Sequence, residues 1–390
     1  MLPIQESIIF LMCSKKNQID ICHITSVHSA TDVRIFTKEC RSLAEAGYNV
    51  SLISPGANYE NKDGVRIIGT FSSKGGRLFR MTVTVRRVFQ AALKENAHVY
   101  HFHDPEFIPF GLFLRILGKK VIYDVHEDYP LDIQSKYWLP FWMKSLTSWF
   151  FKRFENFSAR YFNCVVSATP AIAKRFKQIN NNTVTVQNFP RLNELSTPGK
   201  EIIWQDRSDA VIFAGGFDIS RGIKETVEAI ELAQKKLKVQ LILAGRFSPK
   251  SLQNDIQKLP GWKHVEYRGF VSRKKLAELL RVVKAGLDFR HPESQYQVAY
   301  PIKIFEYMSV GIPVIISNFP LWRKIVNSAG CGLLVNPLDP QAVAESIIYI
   351  LENPEEAEEM GKRGKKAIEE IYNWSNEEIK LLEAYKDLLE

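Results

Sequence analysis

The sequence predicts an α/β protein with two doubly wound domains, each holding a parallel sheet covered by helices. The chain has 390 residues, which is too long for one ordinary core and suits two domains. Short runs rich in Val, Ile, Leu and Phe alternate with amphipathic segments, which is typical of parallel strands joined by helical crossovers. This alternation stops in a polar stretch at 188–207 and starts again at Ala210.

The break in the pattern sets the predicted domain boundaries. We expect an N-terminal domain at 1–190, a linker at 191–207 and a second domain at 208–370. The helical pattern at 371–390 predicts a C-terminal helix that can cross back to the N-terminal domain. Residues 1–17 suggest a poorly ordered leader before the first strand.

Both halves show the same succession of elements. In the first half the predicted strands are 18–25, 49–54, 65–69, 99–103, 120–125, 164–167 and 183–187. In the second half they are 210–214, 240–244, 264–267, 285–289, 313–316 and 332–335. The predicted helices between them include 34–46, 78–95, 222–235, 248–258, 274–283 and 303–310. Doubly wound sheets bind ligands beyond the carboxyl ends of their strands, so polar residues just past these ends are the functional candidates.

Composition and short motifs argue against several classes of protein. The longest apolar runs fall well short of the roughly 20 residues that a membrane-spanning helix needs, and the N-terminus lacks a signal-peptide pattern, so we expect a cytoplasmic protein. The five cysteines are scattered and form no C-x-x-C pair, so neither a disulfide framework nor a structural zinc site is expected. No G-x-G-x-x-G follows a predicted strand, which argues against a dinucleotide oxidoreductase.

The excess positive charge lies in the first half of the chain. Residues 1–190 hold 24 Lys and Arg against 15 Asp and Glu, whereas residues 191–390 hold 28 of each. A basic surface of this kind attracts anionic partners such as phospholipid head groups or lipid diphosphates, and ordinary solvated lysines are the alternative. The basic residues are not interleaved with aromatic residues on a sheet face, so nucleic acid is not an expected partner.

Five stretches, taken in order, suggest a more specific relationship. They are DVRIFTKE at 32–39, HFHDP at 101–105, VIYDVHEDY at 121–129, FAGGFDISRG at 213–222 and PIKIFEYMSVGIP at 301–313. In this order and spacing they resemble the family 4 retaining glycosyltransferases, over nearly the whole chain. The resemblance implies the GT-B fold, in which two Rossmann-like domains face each other across a cleft. It also implies retaining, metal-independent transfer of a sugar from a UDP- or GDP-sugar, with no cofactor.

The chain departs from the family pattern at two places. The family often has two glutamates separated by seven residues; Glu306 matches the second, whereas Val298 occupies the first position. The basic pair that grips the diphosphate in the family, within G-R-x4-K-G, falls on Gly216 and Arg221. One basic residue is therefore missing, and the other is an arginine.

The segment that begins at Pro301 is predicted to bind the donor. Proline suits the first turn of a helix, whose free N–H groups and dipole would face the diphosphate. Lys303 adds a positive charge, and the resemblance implies that Glu306 accepts hydrogen bonds from the ribose and that the backbone near Phe270 contacts the base. Without the resemblance, an ordinary Lys–Glu pair on a helix is the alternative. The complete predicted donor-binding set is Gly215, Gly216, Arg221, Lys224, Arg246, Phe270, Lys303, Ile304 and Glu306.

The loop after the first strand of the second half is the predicted phosphate loop. Gly215 and Gly216 let the backbone approach a phosphate closely, and Arg221 can bind two phosphate oxygens as a fork. Lys224 is a second candidate contact, and Arg246 is a further candidate for phosphate or sugar. A plain strand–helix turn and a solvated loop arginine are the alternatives.

In the first half, histidines and carboxylates stand just past two predicted strands. His103 and Asp104 follow one strand, and His126 and Glu127 follow the next, so we take all four as catalytic candidates at one sheet edge. Histidine can donate a hydrogen bond or act as a base near neutral pH, and the resemblance implies that the two histidines contact the transferred sugar or the reacting centre. Loop histidines with only structural hydrogen bonds are the alternative. No metal is expected on His101, His103 and His126, because alternation along a strand should separate them.

The predicted acceptor site and the reaction mechanism depend on fewer residues. Asp32 and Arg34 follow the first strand and are candidates for acceptor binding, with a solvent-facing start of a helix as the alternative. No paired-carboxylate signature supplies a nucleophile. The resemblance therefore implies front-side attack, in which the leaving diphosphate takes the acceptor proton and cations stabilise its charge.

The segment 137–162 is unusually aromatic: eleven of its 26 residues are Phe, Tyr or Trp. Lysines and arginines punctuate it, and helices of this kind can lie in a membrane interface. Packing in the domain core is the alternative. Both remain open for 137–151, whereas we expect 154–162 to pack in the core.

Together these features predict a glycosyltransferase that elongates a glycan or a lipid-diphosphate-linked acceptor during synthesis of surface polysaccharide, such as capsule or lipopolysaccharide. It would act in the cytoplasm, with peripheral contact to an anionic membrane as one option. The main alternative is a non-catalytic relative that binds a nucleotide sugar or another transferase. A nucleotide-sugar epimerase of the same fold is disfavoured by the motifs of the first half.

Overall fold

The structure is a computed structural model that describes residues 18–71, 76, 79–136, 139–192, 194–195, 203–293, 296–297 and 299–390. The chain divides into two units. The first consists of the residues up to Asn188 together with Glu377–Glu390, and the second of Phe189–Asn376. The predicted leader at 1–17 and part of the predicted linker, 196–202, lie outside the described residues.

The first unit is built on one sheet. Its strands are β1 (Asp20–Ile24), β2 (Asn49–Pro55), β3 (Glu60–Lys62), β4 (Val65–Thr70), β5 (Val99–Phe102), β6 (Lys120–Val125), β7 (Cys164–Ser167) and β8 (Thr183–Thr185). Within the described part of the chain, their order across the sheet is β3-β4-β2-β1-β5-β6-β7-β8. All neighbouring strands are parallel except β3 and β4. The central strand β5 is buried along its whole length, as expected for a parallel sheet covered on both faces.

Helices cover this sheet. They are α1 (Val33–Cys40, continued by Arg41–Glu45), α2 (Arg80–Thr84, continued by Val85–Glu95), α3 (Ile108–Ile116), α4 (Tyr129–Ser135), α5 (Phe141–Ala159) and α6 (Pro170–Phe176). The first segments of α1 and α2 are π-helical. Asp32 caps α1, since its side chain accepts hydrogen bonds from the amides of Arg34 and Ile35.

The second unit has a parallel sheet of its own. Its strands are β9 (Ala210–Phe217), β10 (Gln240–Phe247), β11 (Val265–Gly269), β12 (Ala285–Asp288), β13 (Val314–Ser317) and β14 (Gly332–Val335). The described strands lie in the order β11-β10-β9-β12-β13-β14. Residues of β9 alternate between the apolar cores on the two faces: Val211 and Phe213 pack on one side, Ile212 and Ala214 on the other.

The helices of the second unit continue the βα pattern. They are α7 (Ile223–Gln234), α8 (Ser251–Ile256), α9 (Arg273–Val282), α10 (Ile302–Ser309), α11 (Pro320–Ala329), α12 (Pro340–Glu352) and α13 (Pro354–Glu370). The last helix, α14 (Trp374–Leu389), lies mostly in the first unit, where Tyr385 is fully buried. Among the described residues, none of the helices combines the length and apolar composition needed to cross a membrane.

The predicted fold class is confirmed, and every predicted strand is present. Strand β3 was missed because all three of its residues are polar and exposed. The signal that could have revealed it is the Asp63–Gly64 turn before β4, in which both residues have positive φ angles, 50° and 78°. An Asp-Gly pair of this kind is typical of a two-residue hairpin.

The aromatic segment forms α5 and differs from expectation at its C-terminal end. We expected 154–162 to pack in the core, and Phe162 does. That expectation is wrong for Phe154 and Phe157, whose side chains are exposed. The buried face of this helix is formed instead by Ser148, Glu155, Ser158 and Ala159.

Candidate functional site

The carboxyl ends of β1, β5 and β6 bring a buried polar cluster together in the first unit. These strands are adjacent in the sheet, so the residues that follow them share one edge. His103 is fully buried there, with Nδ1 3.2 Å from Asp124 Oδ2 and 3.1 Å from His126 Nε2. His126 Nε2 in turn lies 3.0 Å from Asp124 Oδ2. Of these three side chains, only His126 reaches solvent, with 13% of its side chain exposed.

A buried ion pair fixes the centre of the cluster. Arg34 donates from Nε and Nη2 to the two oxygens of Asp124, at 3.0 and 2.8 Å, and from Nη1 to the carbonyl of Val186 at 2.8 Å. Burial alone would raise the pKa of Asp124, but the charges of Arg34 and His126 hold it well below its ordinary value. Asp124 is therefore an ionised carboxylate and accepts hydrogen bonds from all its neighbours.

The fully buried titratable groups around this ion pair, His23, His101, His103 and Glu39, are neutral at neutral pH. Burial lowers the pKa of His103 to about 4 and the pKa of His23 and His101 well below the ordinary value. Burial, reinforced by the charge of Asp124, raises the pKa of Glu39 well above its ordinary value. One cation and one anion thus balance each other in an otherwise neutral interior, which avoids the cost of an uncompensated buried charge.

The hydrogen-bond partners of the histidine rings determine their tautomers. Because ionised Asp124 only accepts, both His103 Nδ1 and His126 Nε2 carry protons. His103 Nε2 is then an acceptor and receives its hydrogen bond from His23 Nδ1, 3.0 Å away.

The same assignment continues to the C-terminal helix. Tyr385 Oη lies 3.3 Å from His23 Nε2 and donates to it, and it accepts from His101 Nδ1, 2.8 Å away. His101 Nε2 ends this series as a buried acceptor with no hydrogen-bond partner in the structure. The series thus runs from a buried end at His101 to the partly exposed ring of His126.

Among the other predicted residues of the first unit, Asp104, Asp32 and Arg34 have contacts within the protein. Asp104 Oδ2 accepts from Thr25 Oγ1 at 2.7 Å and from the amide of Ser26 at 2.6 Å, so this carboxylate shapes the loop after β1. Glu127 is exposed at the surface. Asp32, the α1 cap, also lies 3.5 Å from His28. Arg34 was expected to meet an acceptor; the structure instead buries it and engages its guanidinium with Asp124.

The prediction that alternation along the strand separates His101 from His103 is wrong. His101 and His103 are two residues apart on one strand and therefore share a face, with ring centroids 4.8 Å apart. Ligand atoms of Glu39, His101, His103 and Asp124 all lie within 4.8 Å of one another. These atoms are already engaged: Arg34 binds Asp124 and comes within 3.0 Å of Glu39, and both ring nitrogens of His103 have partners. A metal ion would have to displace the guanidinium from both carboxylates.

In the second unit, two glycines after β9 are flanked by two cations. Gly215 has a φ angle of +134°, which residues other than glycine rarely adopt. A Cβ atom on Gly215 would lie 3.6 Å from Lys303 Cε and 4.0 Å from Arg221 Nη1. A Cβ atom on Gly216 would lie 3.2 Å from the same Arg221 nitrogen. Two cationic side chains therefore border this bare backbone, Arg221 paired with Asp218 at 3.3 Å and Lys303 with Glu306 at 2.9 Å. Cations beside exposed glycine backbone are features of phosphate sites.

Glu306 lies beside this space on α10. Lys303 Nζ donates to Oε2 at 2.9 Å and Arg273 Nη1 to Oε1 at 2.5 Å, while Arg273 Nη2 donates to Glu194 at 2.6 Å. Burial would raise the pKa of Glu306, but the two cations hold it below its ordinary value. Sequence reasoning missed Arg273. Its position at the start of α9, just past the carboxyl end of β11, is the signal that could have revealed it.

The remaining predicted donor residues fall into two groups. Arg246 is paired with Gly216 in the β9–β10 register, and its guanidinium lies 4.6 Å from the centre of the exposed Phe270 ring. This pair forms a flat platform at the same sheet edge. Lys224 forms a surface pair with Glu228 at 3.7 Å, and Ile304 is buried in the core with its amide bonded to the carbonyl of Pro301. The side chain of Ile304 therefore does not face a ligand.

The carboxyl end of β12 adds a pair that the sequence did not reveal. Arg290 Nε donates to Asp288 Oδ1 at 2.9 Å, and Asp288 Oδ2 is buried with no hydrogen-bond partner among the residues that the structure describes. The Arg290 guanidinium also lies 5.1 Å from the Tyr296 ring, and the Tyr296 hydroxyl is 3.1 Å from Ser220 Oγ in the turn before Arg221. This pair adjoins the phosphate loop.

Two α/β units, each with a mainly parallel sheet and a polar cluster at the carboxyl ends of its strands, are the features of the GT-B class of proteins. Solved structures support this fold class. Sucrose-phosphate synthase from Thermosynechococcus elongatus superposes with a TM-score of 0.76 at 18% identity, over 95% of this chain and 99% of that one. HepE from Anabaena, solved in complex with UDP and glucose, gives a TM-score of 0.71 at 15% identity, over 95% and 100% of the chains.

Sequence comparisons identify the family. Residues 33–189 match the family described as Glycosyltransferase Family 4, and residues 200–367 match Glycosyl transferases group 1. The GDP-mannose:cellobiosyl-diphosphopolyprenol alpha-mannosyltransferase of Xanthomonas oryzae is 21% identical over 297 residues, 75% of each chain. Several other curated relatives match over only about half of their own length. The chain belongs to glycosyltransferase family 4, a family of retaining enzymes with the GT-B fold.

Proposed function

We propose that this protein transfers a sugar, with retention of configuration, from a UDP- or GDP-sugar to a glycan or lipid-diphosphate-linked acceptor in the cytoplasm. The observation that carries the proposal is the convergence of Arg221 and Lys303 above the bare backbone of Gly215 and Gly216. Two fixed cations beside unobstructed backbone suit a diphosphate better than they suit a neutral ligand. Surface glycan synthesis is the proposed context, because of the names of two relatives. The Xanthomonas enzyme is named for a cellobiosyl-diphosphopolyprenol acceptor, and a relative from Escherichia coli, 24% identical over 195 residues, is named O-antigen chain mannosyltransferase B.

The second unit is proposed to hold the donor. Arg221, Lys303 and the amino end of α10 neutralise the diphosphate, and Glu306 receives the ribose hydroxyls once Arg273 or Lys303 turns towards the ligand. The exposed Phe270 ring, backed by Arg246, offers a surface for the base. HepE was solved with UDP and the Xanthomonas enzyme uses GDP-mannose by name, so both nucleotides are candidates.

The first unit is proposed to receive the acceptor and the transferred sugar. His126 is the partly exposed member of its cluster, and Asp124 fixes its ring through Nε2. The second ring nitrogen of His126 can form a hydrogen bond with a sugar hydroxyl. The reaction needs no protein nucleophile: the acceptor oxygen attacks on the face from which the diphosphate leaves, and a diphosphate oxygen takes the acceptor proton. The cations around the diphosphate stabilise the charge that develops on it.

One specific feature favours a second candidate, a non-catalytic binder of nucleotide sugars. Gly216 occupies the position at which the family carries one of its two diphosphate-gripping basic residues. A protein with a weakened grip could retain a nucleotide without turning it over.

A donor screen followed by a turnover assay separates the two candidates. Thermal-shift measurements with UDP, GDP, ADP and dTDP identify the nucleotide, with Glu306→Ala beside the wild type. Release of that nucleotide from its sugar donors, followed by mass spectrometry, then shows whether the protein is an enzyme. Stabilisation with turnover supports the transferase, and stabilisation without turnover of any donor supports the binder. No stabilisation by any nucleotide would contradict both.

A further inference from the structure

Helix α5 presents most of its large apolar side chains to solvent, whereas the polar side chains of Ser148 and Glu155 face the protein. Its aromatic face consists of seven exposed residues: Phe141, Trp142, Leu146, Trp149, Phe150, Phe154 and Phe157. Phe141 is 88% exposed, Trp142 72%, Phe150 58% and Trp149 51%. This is the reverse of an ordinary surface helix, which buries its apolar stripe.

The buried side of α5 is held by specific polar contacts. Ser148 Oγ donates to the carbonyl of Pro130 at 2.7 Å. Glu155 accepts from the Tyr123 hydroxyl at 2.8 Å and pairs with Arg175 at 2.7 Å. Rotating the helix to bury its aromatic residues would break these bonds and strand a buried carboxylate, at a substantial cost. The helix is therefore fixed with its aromatic face outwards.

The apolar surface extends beyond α5. Phe113, Ile116 and Leu117, at the end of α3, are also exposed, and Ile116 is 81% exposed. Arg115 joins the two elements, because its Nε donates to the carbonyl of Tyr161, just past the end of α5, at 2.8 Å. Exposed apolar side chains gathered on two elements that contact each other favour an interaction site over a chance distribution.

The exposed charges carried by α5 itself have one sign. Lys152, Arg153 and Arg160 are exposed on α5 or directly after it, and the Arg153 guanidinium lies 5.3 Å from the Trp149 ring. Glu155 is the only acidic residue between positions 139 and 161, and it is buried. A two-fold contact between copies of this chain would bring these cations against one another, whereas an anionic surface would neutralise them.

We propose that the aromatic face of α5, with the exposed end of α3, docks the protein on an anionic lipid surface. The helix would lie in the plane of the interface, with Trp and Phe side chains at the level of the head groups and Lys and Arg beside the lipid phosphates. The surface is distinct from the donor site, so the inference goes beyond the proposed function. It would hold the enzyme where lipid-linked acceptors occur.

Flotation of the full-length protein with lipid vesicles tests this proposal. The wild type should float with vesicles of phosphatidylcholine and phosphatidylglycerol, float little with phosphatidylcholine alone, and bind less at high salt. Trp142→Ser with Phe150→Ser should reduce binding about tenfold or more, because both side chains are exposed and lose only their lipid contacts. Lys152→Ala with Arg160→Ala should reduce binding about fivefold per residue removed.

Matched controls separate docking from general effects. Tyr59 and Lys94 are exposed in the same unit but lie outside this surface, so Tyr59→Ser and Lys94→Ala should float like the wild type. Failure of the wild type to float, or equal flotation of the Trp142 and Phe150 variant, would overturn the proposal. So would a dimer in light scattering that the same variant dissociates, because the face would then join two copies. The assay uses neither donor nor acceptor, so its failure leaves the proposed function untouched.

Discussion

Lys303 Nζ lies 2.9 Å from Glu306 Oε2, one turn later on the same helix, and this pair joins the two parts of the proposed donor site. Lys303 borders the space above Gly215, where a diphosphate would sit. Glu306 is buried and shared with Arg273, which holds its other oxygen. The carboxylate thus orients both cations before the ligand arrives, and such preorganisation lowers the cost of binding.

Glu306→Ala is predicted to weaken nucleotide binding by roughly 10- to 100-fold, the value of a charge-assisted hydrogen bond. Calorimetric titration with the nucleotide identified in the donor screen measures it. The control is Glu278→Ala, which removes a Lys–Glu pair of the same i,i+3 geometry, 2.8 Å long, on exposed surface of the second unit. Equal losses in the two variants would exclude a specific role for Glu306.

Gly215→Ala is predicted to weaken nucleotide binding more than it lowers stability. The strained φ angle should cost about 1–2 kcal/mol of folding free energy, and the new methyl group would occupy the space between Lys303 and the backbone. Gly118→Ala is the matched control, because Gly118 also has a positive φ angle, +77°, but lies in open space in the first unit. Both variants should melt earlier, and only Gly215→Ala should lose affinity. Unchanged affinity in Gly215→Ala would place the phosphates elsewhere.

Asp124→Asn is predicted to destabilise the first unit by about 3 kcal/mol, because the buried Arg34 guanidinium keeps only Glu39, 3.0 Å away, and this carboxyl group would have to ionise in the interior. Thermal unfolding measures the loss. Asp132→Asn, which breaks a surface pair with Lys136, should cost less than about 1 kcal/mol. A stable Asp124→Asn variant would show that Arg34 finds other acceptors and that the cluster is not organised around this ion pair.

The buried histidines should lower the free energy of unfolding as the pH falls. The pKa of His103 is about 4 in the folded protein and near 6.5 when unfolded, so the unfolded state binds the proton first as the pH falls through this interval. The lowered pKa of His23 and His101 acts in the same direction. Each histidine should contribute a slope of about 1.4 kcal/mol per pH unit between pH 6.5 and 4.

Urea unfolding between pH 7.5 and 5 measures this slope. His101→Gln should reduce it by one histidine's contribution, because its ring is buried. His98→Gln is the control, because it changes an exposed histidine, with 58% of its side chain accessible, instead of a buried one. Because the raised pKa of Glu39 gives a slope of opposite sign, the comparison of variants is decisive: an unchanged slope in His101→Gln would contradict the assignment of a neutral buried ring.

The sequence alone predicts most of the sheet framework and the sheet edge at which function lies. Apolar runs identified the strands, and because parallel strands end at the same edge, residues near His103 and His126 could be expected to meet. Strand β3 lacked the apolar pattern altogether. What decided its presence was a turn, Asp63–Gly64, rather than its own residues.

Partners distant in the chain were beyond the reach of the sequence. The position of Arg34 after a strand predicts a ligand contact, but its guanidinium instead binds the carboxylate of Asp124, 90 positions later in the chain. Arg273 gave no motif signal, although it shares Glu306 with Lys303. Long-range ion pairs depend on the packed fold, which local patterns do not encode.

The orientation of α5 was equally unpredictable from its own residues. Helical periodicity shows that aromatic side chains share a face, but not whether that face meets the core or the solvent. The buried contacts of Ser148 and Glu155 with other elements decide it, and they turn Phe154 and Phe157 outwards against our expectation. Here the polar residues, not the apolar ones, determine which side packs.

The most direct test of the central claim is calorimetric titration of UDP and GDP into the wild type and into an Arg221→Ala, Lys303→Ala double variant. Neither side chain is buried in the core, so the fold should persist. The account predicts saturable binding of at least one nucleotide to the wild type and a loss of about 100-fold or more in the variant, the value of two charge-assisted contacts. Binding of equal strength to both proteins, or of neither nucleotide to the wild type, would contradict the assignment of this loop as the donor site.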